Sequence, residues 1–494
     1  MRGDRDFSSS NSLFWLILLI LAAGFFATGF LGWHYGSRDY FAVGGLANAS
    51  RTINKLMGAV LTAIALIVPL ASNLYTPKLV KLIVQHPVTI FGLGIMILGN
   101  LVVLTANFFA PGHPWYPLAL FVSVGFSYAI MAVALPYLYM ISRFLRPMYF
   151  IPLLARRACA TLQRNSRRGA TRRQWVPVFE TVDVLTNIAL TALSRGDRRL
   201  VVMGLKFSYK IVESFIEMSD QERDRLREIE PFFVSGMTRE GSGYLQQAGI
   251  WPEAYVFYQF VRVLRQSDRK QEVIWAEVGK LLLASLRRSV AQRRTDLFDL
   301  HIMTFNSLMQ MAIAEKSLAI FQTLSYQYRI EVETLLDYPD ELRACVQHHC
   351  HYGHQAAVGE LGFGKETVLY DTGRMCVQLA GTHRDLARGV LEDIIMDFWR
   401  HAIEEQGHIE SVCWRAVIMV YWELRAAGVD DIAELIRGKF LSDDFRHAQK
   451  LSIILASNQP LHWEINNRLL RFGYIRKAAA ALASQFVDSL AAAK

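Results

Sequence analysis

Four stretches that contain no Asp, Glu, Lys or Arg occupy most of the first 142 residues of this chain. They are residues 13–33, 56–74, 88–110 and 115–142, and each is long enough to cross a bilayer as a helix. About 20 apolar helical residues match the thickness of the hydrocarbon layer, and four such helices would be difficult to bury in one water-soluble domain. The sequence therefore predicts a four-helix transmembrane bundle.

The rest of the chain has the composition of an ordinary water-soluble domain. The mean hydropathy of +0.20 is mild for a membrane protein, because the long charged region after residue 142 dilutes the apolar one. The cysteines all lie in this region and are too scattered for a disulfide scaffold, which favours a reducing compartment. They are Cys159, Cys345, Cys350, Cys376 and Cys413.

These patterns divide the chain into four parts. Residues 1–12 form an N-terminal segment, 13–142 the transmembrane domain, 143–175 an arginine-rich juxtamembrane segment, and 176–494 a helical domain. Basic residues near the ends of membrane spans mark the cytoplasmic side. The arginine-rich segment then lies in the cytoplasm, and four spans return the N-terminus to the same side. We expect a multi-pass protein with both termini in the cytoplasm.

The juxtamembrane segment contains nine arginines and no acidic residue between positions 143 and 173, which equals the whole net charge of +9. They are Arg143, Arg146, Arg156, Arg157, Arg164, Arg167, Arg168, Arg172 and Arg173. Such a cluster after a membrane span attracts anionic lipid headgroups, at about 1 kcal/mol per basic residue. The sequence predicts contact with lipid headgroups. It predicts no nucleic-acid binding, because no recognition motif or stacking platform accompanies the charge.

A second membrane-interface motif follows the second apolar stretch. Tyr75 can place its ring at the acyl boundary, Pro77 can end the helix, and Lys78 and Lys81 can reach lipid phosphates. This spacing indicates an anchoring device. The motif comprises Ser72, Tyr75, Thr76, Pro77, Lys78 and Lys81.

The same run, Leu-Ala-Ser-Asn-Leu-Tyr-Thr-Pro-Lys-Leu-Val-Lys-Leu at residues 70–82, resembles the membrane exit of the DUF2254 family of uncharacterised bacterial membrane proteins. A weaker resemblance lies at residues 183–211, where Arg195, Gly196 and Asp197 replace a longer turn with Asn-Asp-Pro. The resemblance covers about the first 215 residues. It implies a protein of the bacterial inner membrane and brings no settled activity with it.

Helical periodicity runs through the region beyond residue 175, so the predicted fold class is all-α. Apolar residues from Val182 to Leu193 recur at helical spacing, Gly196 can end that helix, and Asp197 can cap the next. The face expected to be apolar in the second helix consists of Leu200, Met203, Phe207, Ile211 and Phe215.

Similar start and stop signals recur further along, at Asp296, Asp385 and Gly428, but at no fixed interval. A strict repeat array is therefore not predicted. An irregular stack of helix pairs and a compact helical bundle both fit the pattern, and a stack would suit protein binding or self-association.

The densest group of chemically reactive side chains is the run Cys-Val-Gln-His-His-Cys-His-Tyr-Gly-His at 345–354. On a helix, Cys345 with His349 and Cys350 with His354 are i,i+4 pairs, which can place two ligands on one metal such as zinc. The two pairs point in different directions, and no distant pair completes a set of four. A histidine-rich contact between helices explains the same run.

Two further patterns favour simpler explanations. Gly359 to Thr367 nearly matches a phosphate-binding loop, but Glu366 stands where Ser or Thr should meet magnesium and no strand precedes it, so we expect a flexible turn. His383, His401 and His408 lie among carboxylates without a paired nucleophile, which indicates a solvated helix face.

Taken together, no residue pattern identifies a reaction, and no catalytic residue is predicted. The leading hypothesis is an oligomeric scaffold or channel-like membrane protein with a helical cytoplasmic interaction domain. Its predicted partners are membrane lipids and either further copies of the chain or another protein, and no cofactor is expected. The alternatives are a membrane-tethered metal-dependent enzyme or sensor using Cys345 to His354, and an accessory subunit of a larger membrane complex.

Overall fold

A computed structural model of the chain divides into two compact units, residues 1–157 and 158–494. In the second unit it describes residues 158–168, 171–229, 238–268, 271–458 and 474–492. In the first it describes 50–62, 87–106, 113–116, 118–128 and 146–157, with a few isolated positions besides. Every regular element in these parts is a helix, which confirms the all-α class.

Three helices of the first unit overlap predicted apolar stretches. They are α1 (residues 50–62), α2 (Pro87–Ala106) and α3 (Leu118–Tyr128), although α1 begins before its stretch and contains Arg51 and Lys55. Ile53 and Val60 of α1 and Met96 and Val103 of α2 bury their side chains in one cluster that also contains Ile130. The stretch 13–33 and the interface motif at residues 72–81 lie outside the described residues, apart from two isolated positions in the former.

Helices α1 and α2 are also joined by a polar contact. The side-chain amide of Asn100 donates to Oδ1 of Asn54 at 3.0 Å. Beside it, a Cβ on Gly99 would lie 2.5 Å from Cδ1 of Ile130, so a larger residue there would require the Ile130 side chain to move.

The helix α4 (Pro147–Arg168) leads into the second unit. The helices that follow are α5 (Arg172–Ser194), α6 (Arg198–Ile216), α7 (Asp220–Arg227), α8 (Arg239–Ala248), α9 (Trp251–Arg265), α10 (Glu272–Ala291), α11 (Phe298–Ala314), α12 (Leu318–Thr334), α13 (Pro339–Val358), α14 (Gly362–Thr382), α15 (Arg384–Val390), α16 (Met396–Glu404), α17 (Gly407–Ala426), α18 (Asp430–Phe440), α19 (Asp444–Ala456) and α20 (Lys477–Ala492). A π-helical turn, Leu391–Ile395, joins α15 to α16, and a 3₁₀ turn, Thr295–Leu297, precedes α11.

These helices form a two-layered stack of antiparallel pairs. One layer contains α5, α9, α11, α13 and α15, and the other contains α6, α10, α12, α14, α17 and α20; each helix packs on the next member of its own layer. Neighbouring pairs bury a continuous core, as in irregular helical-repeat proteins. Of the two architectures that the sequence left open, the second unit has the stack of helix pairs.

The turn between α5 and α6 shows how the sequence sets these pairs. Gly196 adopts a positive φ of 74°, and Asp197 caps α6 by accepting a hydrogen bond from the backbone of Leu200 at 3.0 Å. Both predictions are confirmed. Such a cap stabilises a helix by about 1 kcal/mol.

The predicted face of α6 is buried only in its C-terminal half. Ile211 and Phe215 are buried, whereas Leu200, Met203 and Phe207 are half-buried, and the core side near the start of the helix runs through Val201 and Gly204. A Cβ on Gly204 would lie 3.1 Å from the carbonyl oxygen of Leu185, so α5 and α6 meet at this glycine. Hydrophobic spacing therefore located the helix and the buried side of its C-terminal half, but not the side that α5 covers near its start.

Among the described residues, one helix of 18 residues or more is apolar enough to cross a membrane, and it is α5. Of the most apolar 18-residue segment of this helix, 56% is buried, and the helix packs on α6 and α9. This packing makes it a core helix of the stack. Shorter apolar helical stretches, Leu93–Ala106 and Leu118–Tyr128, lie within the third and fourth predicted spans.

Candidate functional site

The arginines of the juxtamembrane segment lie on one side of α4. Its buried side chains, among them Ile151, Ala158 and Leu162, recur every three to four residues. With 100° per residue, the helix arginines occupy an arc of roughly 120° on the opposite side. They are Arg156, Arg157, Arg164, Arg167 and Arg168, and all are exposed.

This arginine face carries uncompensated charge. Arg156, Arg157, Arg164 and Arg168 form no ion pair with any residue that the structure describes. Arg146, Arg172 and Arg173 are likewise exposed at either side of the helix, while Arg143 lies outside the described residues. Arg156, Arg157, Arg164 and Arg168 are therefore available to anions at the surface.

The C-terminal end of α4 is tied to α7. The Ser166 hydroxyl donates to Glu222 at 2.6 Å, and Nη1 of Arg225 donates to the carbonyl oxygen of Ser166 at 2.8 Å. Burial opposes ionisation of Glu222, but the hydrogen bonds from Ser166 and Ser219 and the charge of Arg167 lower its pKa. These bonds attach the C-terminal end of α4, with Arg164, Arg167 and Arg168, to α7.

The Cys/His run lies on α13, where its members occupy different environments. His349 is fully buried, and its Nε2 lies 2.8 Å from the Ser325 hydroxyl. His354 lies instead against Phe398, at 4.9 Å between ring centroids. Burial and the charge of Lys365 lower the pKa of His354.

The two cysteines of this run are buried thiols. Burial, with a contribution from Glu331, raises the pKa of Cys345 well above its usual range, and burial also raises that of Cys350. A raised pKa disfavours the thiolate that binds metals. Within the described parts of the chain, no group of three or more His, Cys, Asp or Glu side chains is placed to hold a metal ion. The geometry therefore gives Cys345, His349, Cys350 and His354 no common ligand set.

His349 instead belongs to a buried Ser-His-Asp network that sequence inspection missed. Ser325 donates to Oδ2 of Asp371 at 2.7 Å, and all three side chains are at most 1% exposed. The Ser325 hydroxyl thus connects the Asp371 carboxylate of α14 with the His349 ring of α13, and this buried network links three neighbouring helices.

The glycine motif at residues 359–367, which nearly matches a phosphate-binding loop, contributes to helix packing. Gly362 to Thr367 belong to α14, so the predicted flexible turn is wrong beyond residue 361. Gly364 allows close packing, since a Cβ there would lie 2.8 Å from Cβ of Ala356. Lys365 is fully buried and pairs with Glu405, which leaves it inaccessible to a phosphate.

Buried polar contacts connect successive helices of the second layer. Thr323 of α12 donates to Glu272 of α10 at 2.7 Å, and Gln322 donates to Thr367 of α14 at 3.3 Å. Further along, Nη1 of Arg374 in α14 donates to both carboxylate oxygens of Glu423 in α17, at 2.8 and 2.6 Å. Such networks fix the register of packed helices. The only sequence signal for them is polar residues at helical spacing within apolar helices.

No model of a protein family, no curated protein and no solved structure matches this chain. The resemblance of residues 70–82 and 183–211 to the DUF2254 family stays a prediction.

Proposed function

We propose that the chain is an integral protein of the bacterial inner membrane, with four spans, cytoplasmic termini and a cytoplasmic helix stack that acts as a scaffold for self-association or for another protein. One observation carries the proposal. The chain combines an uncharged helix with exposed apolar side chains, α2, and a long stack of helix pairs. The stack follows α4, the helix that carries the arginine face.

The membrane part of the proposal is supported by α2. It has 20 residues, which correspond to a length of about 30 Å, close to the thickness of the hydrocarbon layer. Ile90, Ile97, Leu98, Leu101 and Leu104 are each more than half exposed, which water would disfavour and lipid tails would not.

The scaffold part is supported by the architecture of the second unit. Stacked helix pairs present long surfaces to which several neighbouring repeats contribute, and proteins built this way commonly bind other proteins. The polar residues of the first unit also fit a packed anchor better than a pore, because Asn100 is engaged with Asn54.

Membrane integration can be tested with the full-length chain in bacterial membranes. We expect the protein to resist extraction with alkaline carbonate. In a Cys159→Ser background, a membrane-impermeant maleimide should label Gly112→Cys in intact spheroplasts but Glu360→Cys only after permeabilisation. Extraction by carbonate, or the reverse labelling pattern, would contradict the proposal.

The scaffold and metal hypotheses separate in one further experiment. Light scattering of the protein in mild detergent should give a multiple of the 56.1 kDa chain mass, or a complex with foreign subunits. Elemental analysis of the same peak is expected to find no stoichiometric metal. One metal per chain that disappears when Cys345, His349, Cys350 and His354 are replaced would overturn the scaffold function in favour of a metal site.

A further inference from the structure

Two shallow grooves flank Trp414 on α17, near the C-terminal end of the stack. The first, of about 220 Å³, lies between α17 and α19 and is lined by Trp414, Lys450 and Ile453, among others. The second, of about 340 Å³, is lined by Trp414, Arg400 and Lys439. Trp414 forms a wall of both.

The grooves are surrounded by an excess of cations. Nζ of Lys450 lies 3.5 Å from the centroid of the Trp414 ring, and the guanidinium of Arg446 lies 5.8 Å from it. Within the described residues, neither of these cations nor Lys439 forms an ion pair, and the charge of Glu410 compensates Lys450 only in part. Burial, followed by the charge of Arg446, lowers the pKa of Lys450 to about 8. A bound carboxylate would compensate this charge.

Apolar surface lies beside these cations. Ile453 is 63% exposed and follows Arg446 and Lys450 at helical spacing, so all three share one side of α19. The indole N–H of Trp414 donates to Glu410 at 3.2 Å, which holds the ring in place as a fixed apolar wall. A ligand for this surface would combine negative charge with apolar groups.

We propose that the Trp414 grooves bind an acidic peptide segment of a partner protein. Its carboxylates pair with Lys439, Arg446 and Lys450, and an apolar side chain packs on Trp414 and Ile453. This proposal rests on the scaffold function and names the chemistry of its partner. A lipid surface fits less well, because Glu404 and Glu410 also line the grooves and would repel a uniformly anionic layer, whereas a peptide can place its carboxylates between them.

The test uses the full-length chain in an uncharged detergent and a fluorescein-labelled peptide that alternates pairs of glutamates with single leucines. We expect saturable binding by fluorescence anisotropy, and no binding of the same peptide with glutamines in place of glutamates. Arg446→Gln with Lys450→Gln should weaken binding at least tenfold, and Trp414→Leu should weaken it with unchanged helicity.

A matched control removes two cations elsewhere on the stack. Lys206→Gln with Lys280→Gln changes the net charge equally, at exposed lysines that pair with Glu277, and should leave the affinity unchanged. An equal loss of affinity in this control would overturn the proposal, and so would binding of the glutamine peptide. The proposal would also be overturned if the chain bound no peptide but bound phosphatidylglycerol vesicles, and the Arg446/Lys450 variant did not bind them. If the chain does not bind the peptide but resists carbonate extraction and is oligomeric, only the peptide-binding proposal is wrong, and the scaffold function stands.

Discussion

The side-chain amide of Gln327 on α12 occupies the space beside Gly279 on α10. A Cβ on Gly279 would lie 1.6 Å from Oε1 of Gln327. The amide is held there because its Nε2 donates to the carbonyl oxygen of Ala276 at 2.8 Å. These two helices therefore approach each other through a glycine and a buried hydrogen bond.

We expect Gly279→Ala to lower the free energy of unfolding by about 1–3 kcal/mol or more, because the new methyl group must displace the buried amide. Thermal unfolding of the detergent-solubilised chain measures this. Adding Gln327→Ala should restore part of the loss. Gly438→Ala is the matched control, since nothing lies near its Cβ position and a helical alanine should stabilise by up to about 1 kcal/mol. Equal effects of the two glycine substitutions would contradict this packing.

The pair Arg374 and Glu423 should be the most sensitive ionic contact of the second layer. Glu423 is 3% exposed, and its loss would leave the guanidinium of Arg374 buried without its counter-charge. We expect Glu423→Gln to destabilise the protein by about 3 kcal/mol. It should also loosen α20, because Arg374 donates to the carbonyl oxygen of Tyr474 at 3.1 Å.

Hydrogen exchange of α20 and the midpoint of denaturant unfolding measure these two effects. Lys316→Gln breaks the exposed pair with Glu360 and serves as the control, with a much smaller expected change because water screens that pair. A Glu423→Gln protein as stable as the control would show that the buried pair contributes no more than a surface one.

Glu253 should make stability depend on pH. Burial raises its pKa from an ordinary 4.5 to about 7, although Arg223 opposes the shift. Because the folded pKa is the higher one, its contribution is complete below about pH 4.5 and is lost as the pH rises to about 7, by up to about 3 kcal/mol. The difference in unfolding free energy between pH 5 and pH 8 should be smaller in Glu253→Gln. Identical pH profiles would contradict a protonated Glu253.

The arginine face of α4 should select anionic lipids. Replacing Arg156, Arg157, Arg164 and Arg168 with Gln is expected to reduce the phosphatidylglycerol that co-purifies with the chain, since each charge near a membrane surface contributes about 1 kcal/mol. Mass spectrometry of the extracted lipids measures the change. Gln substitutions at Arg384 and Arg388, which are exposed on α15, provide the control and should have no effect. Unchanged lipid content in the α4 variant would exclude headgroup binding by this face.

The sequence by itself determined those properties that are local in the chain. Apolar periodicity and turn residues such as Gly196 and Asp197 are read over a few positions, so the helical class and the α5–α6 turn could be predicted. The uncharged stretches and the arginine cluster are equally local. Their exposed arrangement on one side of α4 follows from the helical repeat alone.

Only the tertiary structure decided which side chains meet. Cys345 and His354 are close in sequence, but they point in different directions from α13 and contact different neighbours. Ser325 and Asp371, which are far apart in sequence, form a 2.7 Å hydrogen bond because α12 and α14 are adjacent in one layer. Helical spacing gives the face of a residue but not the helix that covers it, since that depends on how the pairs stack. The same holds for Trp414 and Lys450, whose contact requires α19 to fold back onto α17.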